Sequence, residues 1–217
     1  DPSEDYSDRK LALLGHMIGD GSCTPRQPLR YYTPSEEHLR LVCDYASDEF
    51  GVEPKVSRHT DCYTVLLSAK ANKWHPNPMR MWLKRVGLDG KRAHEKTIPE
   101  CIFGFPLAKI ALFLSHLWST DGCVSIKNDK SMGSITYSTT SGVMAEQIQD
   151  LLMRFEVLSA ITTVRKGNYK PSYILSISGI ADQVRFAEAI GVFGDHMATL
   201  EDLFSILATT DIYTNRD

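Results

Sequence analysis

The sequence predicts an α+β fold made of two tandem αββαββα units. Two observations carry this. Four stretches recur in the same order about a hundred residues apart, and each copy opens on an apolar segment at helical spacing that closes on Asp-Gly. Leu13-Leu14-Gly15-His16-Met17-Ile18-Gly19-Asp20-Gly21 parallels Leu114-Ser115-His116-Leu117-Trp118-Ser119-Thr120-Asp121-Gly122, and Cys23 and Cys123 follow. Tyr32-Thr33 leads to Phe50-Gly51-Val52 as Tyr137-Ser138 leads to Phe155-Glu156-Val157. Residues 63–68 correspond to 173–178, and 79–90 to 183–194.

Each element has its own warrant. In the first helix Leu11, Leu14, Gly15 and Ile18 fall at i, i+3, i+4 and i+7, as do Ile110, Phe113, Leu114 and Leu117 in the second copy. Two short polar strands are expected over 22–33 and over 123–138. An amphipathic helix follows, through Leu39, Val42, Cys43 and Ala46 in one unit and Ile148, Leu151, Leu152 and Phe155 in the other. A second strand pair is expected over 54–68 and 161–178, and a last helix over 78–86 and 181–190. Pro99 and Pro106 mark the connection, so residues 1–100 and 101–217 are expected to form the two subdomains.

The 217 residues are 42% hydrophobic and 24% charged, which fits a soluble globular chain. No apolar run approaches the ~18 residues of a membrane span, and the acidic N-terminus does not read as a signal peptide. A cytoplasmic monomer is expected. The five cysteines have no zinc-site spacing and are expected to be reduced thiols. The net charge of −3 argues, taken alone, against a nucleic-acid partner. Its distribution argues otherwise. Residues 54–96 hold ten Lys/Arg against three Asp/Glu, from Lys55 through Arg58, Lys70, Lys73, Arg80, Lys84, Arg85, Lys91 and Arg92 to Lys96. That stretch suits either a solvated face or phosphate.

The two Asp-Gly pairs carry the chemistry. Each glycine is expected to close its helix in the left-handed conformation. Neither aspartate has such an explanation, because a helix C-terminus favours cations by ~0.3–1 kcal/mol. A divalent ion would reverse the sign, and carboxylates with free carbonyls are hard oxygen ligands suited to Mg²⁺. Gly15 and Gly19 leave room for a second backbone, so packing of the two apolar helices about a pseudo-two-fold axis would bring Asp20 and Asp121 together.

These two segments resemble degenerate LAGLIDADG motifs, with His116 standing where the motif has Gly. The second is most similar to the endonuclease domains of inteins in bacterial replicative DNA helicases. Lys96-Thr97-Ile98-Pro99 resembles the Lys-x-Ile-Pro block between the two motifs of that family. The splicing signatures are missing, so an endonuclease domain apart from its splicing domain is expected.

The resemblance implies two saddle-shaped antiparallel sheets around a central helix pair, gripping double-stranded DNA and cutting both strands to short 3′ overhangs. It implies Asp20 and Asp121, with the Gly19 and Thr120 carbonyls, as ligands of Mg²⁺. Mn²⁺ would substitute, and Ca²⁺ would support binding without cleavage. Lys96 would activate the attacking water or neutralise the transition-state phosphate. The second half has Leu200 at the corresponding point, which leaves Lys127, Lys166 and Lys170 as alternatives. The DNA surface would comprise Arg26, Gln27, Arg30, Tyr32, Lys55, Ser57, Arg58 and Lys70 in the first half. In the second it would comprise Lys127, Asn128, Lys130, Arg165, Lys166, Tyr169, Lys170 and Tyr173. Other readings are a DNA-binding regulator on the same fold, an RNA-binding intron maturase, and an unrelated domain whose repeat is only structural.

Overall fold

The computed structural model describes residues 6–68, 76–127 and 133–209. The first half runs α1 (Asp8–Gly19), β1 (Gly21–Ser22), β2 (Arg30–Thr33), α2 (Glu36–Phe50), β3 (Glu53–His59), β4 (Cys62–Ser68) and α3 (Pro78–Arg85). The second repeats this as α4 (Leu107–Asp121), β5 (Gly122–Ile126), β6 (Gly133–Thr139), α5 (Gly142–Met153), β7 (Ala160–Val164), β8 (Ser172–Ile177) and α6 (Ile180–Ala189). Each half forms a four-stranded antiparallel sheet of the same order, β1-β2-β4-β3 and β5-β6-β8-β7.

Local sequence sets the boundaries. Ser7, Ser35 and Ser141 cap α1, α2 and α5, each hydroxyl accepting from a backbone N–H inside its helix. Asn77 caps α3, which has proline in its first turn. α2 stops at Gly51, whose φ of 60° suits a residue without Cβ.

The strands alternate as period two requires. Tyr31, Val65 and Leu67 are buried toward the helices in one sheet, as are Ile135, Tyr137, Leu175 and Ile177 in the other. α1 and α4 lie side by side at the centre, with Leu14, Met17, Ile18, Phe113, Leu114, Leu117 and Trp118 fully shielded. Their approach depends on glycine. A methyl on Gly15 would lie 2.7 Å from Leu117 N, and one on Gly19 would overlap the Thr120 side chain.

Three features depart from expectation. Neither Asp-Gly glycine is left-handed: Gly122 has φ −82° and ψ 160°, and Gly21 is absent from the positive-φ glycines. The chain enters a strand directly, and crowding is what requires glycine. A Cβ at Gly21 would lie 2.5 Å from Met17 O, and one at Gly122 would overlap Trp118 O. The expected strand pair over 22–33 shrinks to the two-residue β1 and β2 around a looped segment. Finally, α7 (Met197–Thr209) has no counterpart in the repeat. Leu200, Leu203 and Leu207 bury one face of it, and Leu203 lies against Gly133 on the second sheet.

Candidate metal centre and nucleic-acid interface

Asp20 caps α1 with φ −90° and ψ 2°, and Asp121 is the last residue of α4. Because α1 and α4 pack in register through Gly15 and Gly19, both carboxylates reach the same end of the helix pair. They act on each other. Burial first, then the Asp121 carboxylate, pushes Asp20 up to about 7, while Lys96 opposes both. Burial likewise raises Asp121 against the same lysine. Two carboxylates sharing one ammonium, Asp20 half-buried and Asp121 open to solvent on one side, beside helix-end carbonyls, are a donor set that a hard divalent cation fits. Among the described residues no third His, Cys, Asp or Glu joins them as a ligand group. The balance of such a coordination shell would fall to backbone carbonyls and solvent.

Lys96 is not one more exposed lysine. It is 5% exposed, between a 3-10 turn (Ala93–Glu95) and Ile98. Its Nζ donates toward the carbonyls of Ile18 at 2.6 Å, Gly21 at 2.8 Å, Gly19 at 3.1 Å and Met17 at 3.2 Å. Those of Met17, Ile18 and Gly19 are end-of-helix oxygens that lack partners within α1, and that of Gly21 opens β1. Ser141 Oγ holds the Lys96 carbonyl at 2.7 Å, which ties the connection to the start of α5. Beside Lys96 opens a cleft of about 270 Å³ lined by Gly19, Asp121, Ser138, Thr139, Thr140 and Ser172 among others.

Strand register sorts the remaining candidates. Arg30 pairs with Leu66 and Tyr32 with Thr64, while Lys55 and Ser57 pair with those same two residues. Arg30, Tyr32, Lys55 and Ser57 therefore share the face turned away from the helices. Arg26 and Gln27 are exposed in the loop before them, Arg26 with φ 60°. In the second half Arg165, Lys166, Tyr169 and Lys170 are exposed in the loop between β7 and β8, Tyr169 at 84%. Lys166, Tyr169 and Lys170 border a cleft with Ser138, Ser172 and Ile174 on the outward face of that sheet. Lys127 follows β5 and is exposed. Lys70, Asn128 and Lys130 lie outside the described residues.

Two candidates belong to the other face. Arg58 pairs with Tyr63, which pairs with Thr33 on the helix side; its guanidinium sits 5.1 Å over the Tyr63 ring. Tyr173 pairs with buried Thr139 and packs against Gly142 at the start of α5. In both cases parity decides: one residue along a strand reverses the face.

Sequence reasoning missed a buried histidine cluster between the halves. His16 on α1 meets Tyr31 Oη through Nδ1 at 2.8 Å, and its Nε2 lies 3.3 Å from His116 Nδ1 on α4. His38 of α2 meets His16 edge to face at 4.9 Å between ring centroids, and Phe193 packs against all three rings. Burial, and then the neighbouring imidazoles, lowers His16 and brings His116 down to about 4. Histidines scattered at 16, 38 and 116 carry no joint signal until the helices are docked.

Comparison with known proteins places this geometry. Residues 108–191 match a family model described as a LAGLIDADG-like domain. The replicative DNA helicase DnaB of Synechocystis sp. is 35% identical over 97% of this chain and 25% of its own length. That of Rhodothermus marinus is 34% identical over 97% and 23%. The chain thus spans about a quarter of the curated relatives it matches. Among solved structures, the homing endonuclease I-DmoI in complex with DNA and Mn superposes with TM-score 0.59 at 16% identity, covering 84% of this chain and 96% of that one. Full-length WhiA from Thermatoga maritima gives 0.58 at 16% identity, over 96% of this chain and 63% of that one. At such identity these structures attest the fold alone. Residues 108–191 thus match a LAGLIDADG-like domain, and the duplicated sheets around a glycine-packed helix pair share the fold of these solved structures.

Proposed function

We propose that this protein is a site-specific homing endonuclease that makes metal-dependent double-strand cuts in a long, non-palindromic DNA target. The observation that carries the reading is the pair of adjoining carboxylates, half-buried Asp20 and solvent-facing Asp121, beside the single ammonium of Lys96. Such a pair costs stability unless a cation joins it. Subdomains 1–100 and 101–217 would each offer an outward sheet face to one half of the target. Asp20 and Asp121, with the carbonyls of Gly19 and Thr120, would hold Mg²⁺, with Mn²⁺ able to replace it and Ca²⁺ supporting binding only. The ion supplies Lewis acidity at the scissile phosphate and an activated water.

The protein's own residues do the rest. Arg30, Tyr32, Lys55 and Ser57 on the first sheet, and Lys166, Tyr169 and Lys170 on the second, bind and orient the duplex, with Arg26, Gln27, Lys127 and Arg165 at the flanks. Lys96 neutralises charge that develops on the phosphate. An ammonium directed at carbonyls has no lone pair with which to act as a base, so the geometry supports this role over proton abstraction. The match to helicases over a quarter of their length supports an intein context, with a splicing domain as partner in the precursor. The enzyme would act as a cytoplasmic monomer.

A DNA-binding regulator on the same fold is the second reading, favoured by the superposition on WhiA over 96% of this chain. Incubation with plasmid carrying an uninterrupted helicase gene segment separates the two. Mg²⁺-dependent linearisation, preceded by a transient nicked form, is the expected result. Tight binding without cutting supports the regulator, and RNA binding without cutting supports a maturase.

A further inference from the structure

Lys96 makes more contacts than its chemistry can saturate. An ammonium has three hydrogens, yet four carbonyl oxygens surround Nζ between 2.6 and 3.2 Å. The side chain sits as a cation in an oxygen cage. Three of its oxygens are at the C-terminus of α1, where unpaired carbonyls concentrate negative charge, and the fourth, Gly21 O, opens β1. Asp20 and Asp121 add to that charge from nearby. With no metal present, this helix end therefore already has a counter-ion, supplied by the connection between the halves.

One oxygen is claimed twice. Gly19 O lies 3.1 Å from Lys96 Nζ, and it is also a ligand oxygen in the metal assignment above. A magnesium–oxygen bond spans about 2.1 Å. The two distances add to about 5 Å, the furthest apart that ammonium and dication could stand while sharing that oxygen. Three positive charges within that span repel. The lysine has somewhere to go. Its stem is flexible, its main-chain carbonyl stays anchored on Ser141, and it already lines the cleft shared with Asp121, Ser138 and Thr139.

We propose that Lys96 is an internal stand-in for the divalent ion. In the metal-free protein its ammonium occupies the carbonyl cage at the end of α1, and metal loading at Asp20 and Gly19 displaces it into the adjoining cleft. This rests on the metal assignment in the proposed function. It makes loading and the delivery of Lys96 to the DNA-facing side one coupled event.

Two measurements without DNA test it. In the first, amine acylation of the wild-type protein is followed by mass spectrometry on the Lys96 peptide, with Ca²⁺ or with EDTA. Displacement predicts slow labelling in EDTA and severalfold faster labelling with the ion at every pH; a dication beside an unmoved lysine would speed labelling only by favouring the neutral amine, a gain that fades at high pH. In the second, Mn²⁺ binding is read by electron paramagnetic resonance. Lys96→Met is expected to bind about tenfold tighter than wild type. Lys96→Gln, whose amide keeps a donor for the carbonyls, serves if the first variant does not fold. Binding of Mn²⁺ with unchanged affinity in the variant and unchanged labelling in wild type overturns this proposal alone. Absence of Mn²⁺ binding in every protein overturns the metal assignment, and this proposal with it.

Discussion

Asp20→Asn should make the metal-free protein more stable above neutral pH while removing a proposed metal ligand. Burial is the main reason Asp20 is displaced from 3.8 to about 7, and Asp121 is the next. A carboxyl whose folded value lies above its unfolded one holds more protons when folded. Its contribution is complete below the unfolded value and is lost as pH rises from about 4 to about 7. At about 1.36 kcal/mol per pH unit the displacement amounts to at most ~4 kcal/mol. Solvent at this part-exposed group reduces that to roughly 2–4 kcal/mol. A chain of this size gains ~2–4 °C in Tm per kcal/mol, so the variant should melt roughly 4–16 °C higher at pH 8. Circular dichroism melts in EDTA, from about pH 5 to about pH 8, would show the gap opening with pH and levelling off above about 7. Saturating Mg²⁺ should narrow it by giving the wild-type carboxylate its counter-ion. A gap independent of pH, or a variant that melts lower at pH 8, would refute the placement of Asp20 in a shielded site beside a second carboxylate.

The histidine cluster slopes the other way. His116 is brought from 6.5 down to about 4, so its contribution is present above about 6.5 and is lost as pH falls toward about 4. His116→Gln should flatten that acid limb by up to ~3 kcal/mol in urea titrations, and parallel curves would count against it. Gly15→Ala drives a methyl to 2.7 Å from Leu117 N and should cost at least ~1–3 kcal/mol in chemical denaturation. Gly51→Ala meets nothing within 4 Å and should cost only the ~1–2 kcal/mol of a left-handed backbone. DNA affinity should fall steeply with salt despite the net charge of −3. Arg30→Ala or Lys166→Ala should lower the log–log slope by about 0.9 each. Arg58→Ala should leave that slope unchanged, since register turns Arg58 to the helix side.

The repeat, the order of elements and the two Asp-Gly sites were legible because each is a pattern in one dimension. Apolar spacing predicts α1 and α4, and the wrong sign of charge at their ends singles out Asp20 and Asp121. What escaped depends on docking or on parity. Arg58 and Tyr173 read as surface residues of basic, aromatic segments, but one step of register decides which face receives them. The role of Gly21 and Gly122 was mistaken because a turn and a crowded strand entry demand the same residue. The Leu200, Leu203 and Leu207 spacing of α7 is visible in the sequence, but the first copy has Lys96 and not an apolar helix at that point, so the repeat does not announce it. The setting of Lys96 could not be read, because the carbonyls around it lie more than seventy residues away along the chain.

The seam between the central helices also bears on how the halves could be recombined. Two of its tightest contacts join unlike residues: Gly15 receives the backbone at His116, and Gly19 receives the Thr120 side chain. A chimera of two second halves would set His116 and Thr120 against copies of themselves where each now faces a glycine. A chimera of two first halves would set glycine against glycine and leave space. The duplicated units have thus become lock and counterpart, and a shuffled homodimeric enzyme made from either would need its seam rewritten before its target could be changed.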